Sequence, residues 1–318
     1  MSKLFDIMSG GKGELADMFR PLVAGTGESQ PEAAKAATPS APETLAAESP
    51  APTPALGAEI RVQSLRVPAP SPLLPFEQGQ WRPGEQYRIL RTKLVQHPKQ
   101  PRVMVISSPA SGDGKSVSAI NTAAALSLKG EGHVLLVDSD IRRSAVHHQL
   151  GLPESPGLAE VLKGACTMEQ AIVRTQEFPN LFVMPAGTPP ENPVELLDSV
   201  AWQTLIGRLR TLFRYVILDS PPVGAVADYD LIQAACDGVI LVIRPDHTDR
   251  TLCQRALAAV PKPKLLGILL NCVPDWSPGK QVGSDYYYYY SGGKGYQSKR
   301  EAEPPNTNVR SPAAVLRE

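Results

Sequence analysis

Cysteine is scarce in this chain of 318 residues, and the four present (Cys166, Cys236, Cys253 and Cys272) stand far apart. Their spacing matches neither a metal-ligand nor a redox pattern, so they read as thiols of a reducing compartment. Net charge is also lacking: 32 basic residues balance 32 acidic ones. That balance gives no global reason to expect a nucleic acid or an anionic surface as partner. Long apolar runs are missing too, since stretches such as Val239 to Ile243 are far too short to span a bilayer. The amino terminus shows no continuous apolar segment followed by a cleavage site. The expected location is therefore cytoplasmic.

Proline is plentiful, with its surplus before Pro101 and after Val273. Residues 30–80 are dense in Pro, Ala, Ser and Glu and too poor in apolar bulk to offset chain entropy. Residues 1–83 are accordingly expected to form a disordered arm. Leu4, Phe5, Ile7, Met8, Leu15, Met18 and Phe19 near its start suggest either a frayed end or a short docking helix. Residues 84–273 are rich in Val, Ile, Leu and Ala, enough for one domain of roughly 190 residues. Residues 274–318 read as a flexible tail.

Within the domain, short β-rich runs alternate with helical patterns. Strands are expected at Val103–Ile106, Val134–Val137, Leu181–Met184, Val216–Leu218, Val239–Ile243 and Leu266–Leu270. Helices are expected over Glu85–Leu94, Lys115–Leu128, Leu158–Leu162, Val194–Leu212, Asp228–Ala235 and Thr248–Ala259. Near-continuous apolar strands alternating with helices signal an α/β fold, with a doubly wound, mostly parallel sheet covered on both faces.

Three acidic or glycine-containing motifs follow those strands. Ser107 to Gly114 leads from the first strand into Lys115-Ser116 at a helix start, which is the layout of a phosphate cradle. Backbone N–H groups of Ser111, Gly112, Asp113, Gly114 and Val117 would surround phosphate, Lys115 would neutralise it, and the Ser116 hydroxyl would ligate Mg²⁺. Pro109 replaces the first glycine usual in such loops. Asp138-Ser139-Asp140-Ile141-Arg142-Arg143 follows the second strand, and Asp219-Ser220-Pro221-Pro222 follows Leu218. Carboxyl ends of strands form the ligand crevice of such a sheet, so these aspartates should converge beside the loop. Asp219 would hold Mg²⁺. Asp138 and Asp140 would share a face if the strand continued, giving one carboxylate to spare for accepting a proton; alternatively either caps the following turn or pairs with Arg142. His147 and His148 have no metal partner at recognisable spacing.

The tail holds an unusual feature, five consecutive tyrosines from Tyr286 to Tyr290 with Tyr296 behind them, flanked by glycine and serine. A strand or helix would spread these over opposite faces, so core packing does not require them. A phosphate donor site and a row of phenolic acceptors on one chain suggest self-phosphorylation.

Together, Ser108-Pro-Ala-Ser-Gly-Asp-Gly-Lys-Ser116, Leu136-Val-Asp-Ser-Asp-Ile-Arg-Arg143, Ile217-Leu-Asp-Ser-Pro-Pro222 and the tyrosine cluster resemble the bacterial tyrosine kinases, P-loop enzymes linked to capsule and exopolysaccharide export. The resemblance covers roughly residues 84–296. It implies a P-loop NTPase fold related to the deviant Walker, partition-type ATPases. It further implies ATP and Mg²⁺ as cofactors and tyrosine autophosphorylation between subunits. By the resemblance, Lys115 and Ser116 serve Walker A, Asp138 and Asp140 the Walker A′ motif, and Asp219 Walker B, with metal at Ser116, Asp140 and Asp219. Asp138 is favoured as the base. The acceptors would be Tyr286, Tyr287, Tyr288, Tyr289, Tyr290 and Tyr296. Glu85, Arg88 and Arg91 match a family helix used in subunit contacts, although Glu85 and Arg88 also have the spacing of a local pair. Asn271 would touch the adenine or cap a turn. Implied partners are further copies of the chain in a ring or transient assembly, a membrane polysaccharide-copolymerase-like activator that would keep the kinase at the inner face of the cell membrane, and a tyrosine phosphatase.

Two rivals are distinguishable. A partition-type ATPase would carry a lysine where Ala110 stands. A non-catalytic, nucleotide-controlled scaffold would have no need of the full set Lys115, Asp138, Asp140 and Asp219.

Overall fold

The computed structural model describes residues 3–5, 60–69, 71–76 and 81–273. In chain order the elements are β1 (Lys3–Phe5), β2 (Arg61–Gln63), α1 (Trp81–Val95), β3 (Val103–Ser107), α2 (Lys115–Ser127), β4 (Val134–Asp138), α3 (Val146–Leu150), α4 (Leu158–Leu162), α5 (Met168–Ala171) and β5 (Val173–Thr175). There follow β6 (Leu181–Met184), α6 (Pro193–Leu197), α7 (Val200–Leu212), β7 (Tyr215–Asp219), α8 (Asp228–Ala234), β8 (Gly238–Ile243), α9 (Arg250–Ala259) and β9 (Leu265–Leu270).

The strands form one sheet in the order β1-β9-β8-β3-β7-β4-β6-β5-β2. From β9 through β6 every neighbouring pair is parallel. Antiparallel pairing enters at β1 on β9 and at β5 on β6. The apolar runs split by their period of two. Val103, Val105, Leu135, Val137, Val216 and Leu218 face one core, with Trp202 and Leu209 of α7 and Ile232 of α8. Met104, Ile106, Val134, Leu136 and Ile217 face the other, with Leu90 and Leu94 of α1 and Ile120 and Ala123 of α2. A sheet buried on both faces explains why its strands carry no polar alternation.

The expected central strands and the doubly wound class are thus present, with several differences. The single helix expected over Val194–Leu212 is two, α6 and α7. Ser199 breaks it, because its hydroxyl accepts from Trp202 N at 3.2 Å and so caps α7 instead of continuing α6. Strand β5 was not expected; three residues are too few to display a period.

The disordered arm expected through residue 83 does not hold for all of its length. Leu73 is buried in the second core, and Leu65, Val67, Leu74 and Phe76 pack against it. The buried amide of Asn121 on α2 fastens this segment from both sides, accepting from Leu74 N at 2.7 Å and donating to Pro72 O at 3.0 Å. Helix α1 also begins at Trp81, ahead of Gly84.

At the very start, Lys3–Phe5 is a strand, against the frayed end or helix expected, because β9 offers an open edge for backbone pairing. The other apolar residues expected near the amino terminus, and the tail with Tyr286–Tyr290 and Tyr296, lie outside the described residues. Among the described residues no helix is long and apolar enough to cross a membrane.

Candidate functional site

β3 lies between β8 and β7 near the middle of the sheet, and the chain leaving its carboxyl end makes the loop Ser108–Gly114 before entering α2. Two glycines permit the turn. Gly112 and Gly114 hold φ of 89° and 91°, the left-handed region that disfavours other residues. A Cβ at Gly114 would also collide with the Asn271 amide. Ala110 N donates to Asp113 Oδ2 at 2.9 Å, closing the loop on itself. α2 then starts at Lys115, so the free N–H groups of its first turn and the positive end of its dipole face the loop. Ser111 and Gly112 are exposed at the mouth.

Three carboxylates converge on Lys115. Its ammonium lies 3.2 Å from Asp140 Oδ2 and 3.8 Å from Asp219 Oδ1, and it donates to the Ser116 hydroxyl at 3.3 Å. Asp138 ends β4 directly opposite Asp219 on β7. β4 stops there, so Asp138 and Asp140 do not share a strand face. Asp138 Oδ2 accepts from Ala145 N at 3.0 Å and Val146 N at 3.1 Å, at the start of α3. Asp140 Oδ1 accepts from Arg143 N at 3.1 Å while Oδ2 meets Lys115. Both therefore brace turns, as one reading of the sequence had it, and each keeps an oxygen for the site. Neither pairs with Arg142, whose guanidinium makes a two-pronged bond to Asp228 at 2.8 and 3.0 Å.

The charge balance is unusual for an interior. Asp138 and Asp219 have no exposed surface. Asp138 Oδ1 has no hydrogen-bond donor, and neither Asp219 oxygen meets one in good geometry, although the Ser116 hydroxyl and Ser220 N–H lie close enough to favour the Asp219 charge. Burial, with Asp219 beside it, pushes the Asp138 carboxyl up to about 8. Burial likewise raises Asp219, against the pull of Lys115. Burial works against the Lys115 charge, but Asp219, Asp140 and Asp138 together hold its pKa above the ordinary value.

Such orphaned acceptors suit a divalent cation. Among the described residues no three His, Cys, Asp or Glu side chains are grouped so as to hold a metal by themselves. A cation here would thus draw further oxygens from elsewhere, such as the Ser116 hydroxyl and a phosphate.

A doubly wound sheet, a glycine-containing loop after a central strand, Lys-Ser at the following helix start and aspartates ending the next two strands define a P-loop nucleotide-binding protein. Comparison with known proteins narrows this. No protein-family profile matches the chain. Tyrosine-protein kinase YwqD of Bacillus subtilis (strain 168) is 35% identical over 212 residues, 65% of this chain and 86% of that protein. Tyrosine-protein kinase CpsD of Streptococcus agalactiae is 33% identical over 193 residues, 59% of this chain and 83% of its own length. Among solved structures, the chimerical protein CapA2B2 superposes with a TM-score of 0.59 at 30% identity, covering 64% of this chain and 90% of that one. The chain belongs to the bacterial tyrosine kinases, and it is a protein-tyrosine kinase.

The other expected residues fall elsewhere. Asn271 lies just past β9. Its amide donates to the carbonyl of Asp113 at 2.9 Å, and its N–H to Ile243 O at 2.8 Å, so it anchors the phosphate loop to the end of β9. Glu85, Arg88 and Arg91 stand on α1, and Arg88 lies 3.4 Å from Glu85, the local pair their spacing allowed. Sequence reasoning missed Asp228, His247 and Thr248. Asp228 carried a signal, an acid at a helix start after the Asp219 motif. His247 and Thr248 carried only their position after β8, next to the loop-bearing strand.

Proposed function

We propose that this chain is an ATP- and Mg²⁺-dependent autokinase that phosphorylates Tyr286, Tyr287, Tyr288, Tyr289, Tyr290 and Tyr296, largely between copies of itself. The observation that carries the proposal is the meeting of Lys115 with Asp138, Asp140 and Asp219 under the phosphate loop. The N–H groups from Ser111 to Val117 hold the phosphates of ATP, with Lys115 moving from its carboxylates to the transferring group. Asn271 would border the adenine, as the family resemblance implies. Ser116, Asp140 and Asp219 would hold Mg²⁺, which when bound would supply positive charge to the phosphates.

A tyrosine phenol is protonated at neutral pH, with a reference pKa of about 10. The base proposed for it is Asp138. Its Oδ1 is free of donors, and the raised pKa makes its ionised form, once Mg²⁺ and Lys115 favour that form, a stronger proton acceptor than an ordinary carboxylate.

About fifteen residues part the last strand from Tyr286, a reach of roughly 50 Å if extended and about 20 Å as a flexible chain. Both self- and neighbour-phosphorylation fit that reach; the family resemblance favours the neighbour, with Glu85, Arg88 and Arg91 in the contact between copies. Each phosphate adds about −1.5 to −2 charges, so a fully modified cluster is repelled from a site lined by aspartates. Assembly and release of copies, with a membrane polysaccharide-copolymerase-like activator and a phosphatase as partners, would in this way control polysaccharide polymerisation or export from the cytoplasmic face.

The test is incubation of purified protein with Mg·ATP and mapping of phosphate by mass spectrometry, beside Lys115→Ala. Phosphate on Tyr286 to Tyr290 in the wild type alone is the expected result. ATP hydrolysis with every tyrosine bare, even with an activator's cytoplasmic segment added, would replace the proposal with the scaffold reading.

A further inference from the structure

Asp113 sits inside the phosphate loop, yet its side chain has no exposed surface. Its carboxylate is held on both sides. Oδ2 accepts from Ala110 N at 2.9 Å within the loop, and Oδ1 faces two groups from the turn between β8 and α9, the Thr248 hydroxyl at 2.6 Å and His247 Nδ1 at 3.0 Å. Catalysis as described above uses neither of these last two residues.

We infer that His247 is a positioning residue of the phosphate loop, and that the β8–α9 turn sets how tightly nucleotide is held. The inference rests on the reading that this loop binds the nucleotide phosphates.

Three features support it. First, the bond has a defined sense. An ionised carboxylate offers only acceptors, so Nδ1 carries the proton and donates. Second, the ring packs on the loop as well as bonding to it. A Cβ built on Gly112 would lie 3.3 Å from His247 Cε1 and 3.4 Å from Nε2, so the imidazole lies against the glycine whose φ of 89° shapes the cradle.

Third, the turn that presents His247 is itself tied down. His247 N and Thr248 N both donate to Arg244 O, at 3.0 and 2.8 Å, and Arg244 N donates to Thr248 Oγ1 at 3.2 Å. Arg244 directly follows β8, which pairs with β3, the strand that feeds the loop. The imidazole is therefore fixed relative to the sheet and passes that fixity to Gly112 and Asp113.

A loop already ordered loses less freedom when it closes on a phosphate, and so binds more tightly. His247 is also the dispensable member for folding. Its side chain is 41% exposed, and without it Asp113 still has Ala110 N and the buried Thr248 hydroxyl. Its loss should thus be read in nucleotide affinity and not in the fold.

The experiment compares wild type, His247→Ala, His247→Asn and Lys115→Ala as full-length chains. It measures Mg·ATP binding by calorimetry, the KM for ATP and kcat of tyrosine phosphorylation, and the melting midpoint. An asparagine amide nitrogen can stand where Nδ1 does, so His247→Asn keeps the donor and loses the ring. His247→Ala is expected to raise Kd and KM roughly five- to tenfold, with kcat changed by less than about twofold. His247→Asn is expected to recover most of that loss, and both to melt within about 2 °C of wild type. Wild-type Kd and KM in His247→Ala would overturn the inference. So would an Asn variant as weak as Ala with both melting well below wild type, which would make the residue merely structural. Wild type showing no saturable Mg·ATP binding would remove the nucleotide reading of the loop, and this inference with it.

Discussion

Asp138 and Asp219 stand opposite one another on the parallel neighbours β4 and β7, both without exposed surface. Two carboxylates so placed cannot both ionise cheaply, and burial, with the Asp219 charge beside it, pushes Asp138 up to about 8. The reference value for an unfolded chain is about 3.9. Because the folded value is the higher one, stability associated with Asp138 is fully present below pH of about 4 and is lost as pH rises through about 8. An arrangement suited to chemistry thus weakens the fold at neutral pH.

Asp138→Asn tests this trade. The amide oxygen can still accept from Ala145 and Val146 N–H, and the amide nitrogen can donate to Asp219 on the neighbouring strand. In nucleotide-free protein the melting midpoint should rise above wild type by about 3–6 °C more at pH 8 than at pH 5. Tyrosine phosphorylation should fall by about 10²-fold or more if Asp138 is the proposed base. A gain in midpoint that does not change between the two pH values would mean that Asp138 is not the buried acid described.

Lys115 is the positive centre of the same cluster, 3.2 Å from Asp140 and 3.8 Å from Asp219. Lys115→Met keeps the length of the side chain and removes the charge. Single-turnover phosphoryl transfer should fall by about 10³-fold or more, as expected when a cation facing the transferring group is lost. A variant keeping a tenth of the wild-type rate would show that Lys115 only balances carboxylates.

Much of this site was legible in the sequence because its elements are local. Ser107 to Ser116 reads as strand, loop and helix within a few residues, and Asp138 and Asp219 each end an apolar run, so strand polarity alone sends them to one edge. The bonds that cross the chain were not legible. Asn271 reaches Asp113, and His247 and Thr248 reach it from another loop, through strand neighbours that no local pattern announces. The fold divides in the same way. β3, β4, β7 and β8 declare themselves by length and apolarity, whereas β5 has three residues. The segment carrying Leu73 looks like linker by composition, and only the amide of Asn121 and the apolar face it meets give it a place.

Arg142 and Asp228 form a second test of cross-chain bonding. Asp228 is almost wholly buried at the start of α8, and the guanidinium grips both of its oxygens. Arg142→Ala leaves that carboxylate buried without its charge partner. The expected cost is about 2–3 kcal/mol, below that of a fully buried pair because the arginine side chain is 39% exposed. Arg142→Ala combined with Asp228→Asn should recover part of the loss, because the remaining buried group is neutral. Urea denaturation gives both numbers, and a single variant costing under about 0.5 kcal/mol would place the pair among ordinary surface ion pairs.

Gly114 joins loop conformation to the Asn271 anchor. Its φ of 91° is strained for any side chain, and a Cβ there would run into the Asn271 amide. Gly114→Ala therefore meets two penalties, a backbone one of about 1–2 kcal/mol and a steric one that exists only while Asn271 is present. Asn271→Ala alone removes the bond to the Asp113 carbonyl, worth about 1 kcal/mol. In the double variant the collision disappears with the amide, so its loss of stability should be smaller than the sum of the two single losses by at least about 1 kcal/mol. The backbone strain stays, so the double variant should remain below Asn271→Ala. Strict additivity in urea unfolding would show that Gly114 and Asn271 do not compete for the same space. In that case the anchoring of the phosphate loop to the end of β9 would have to be withdrawn.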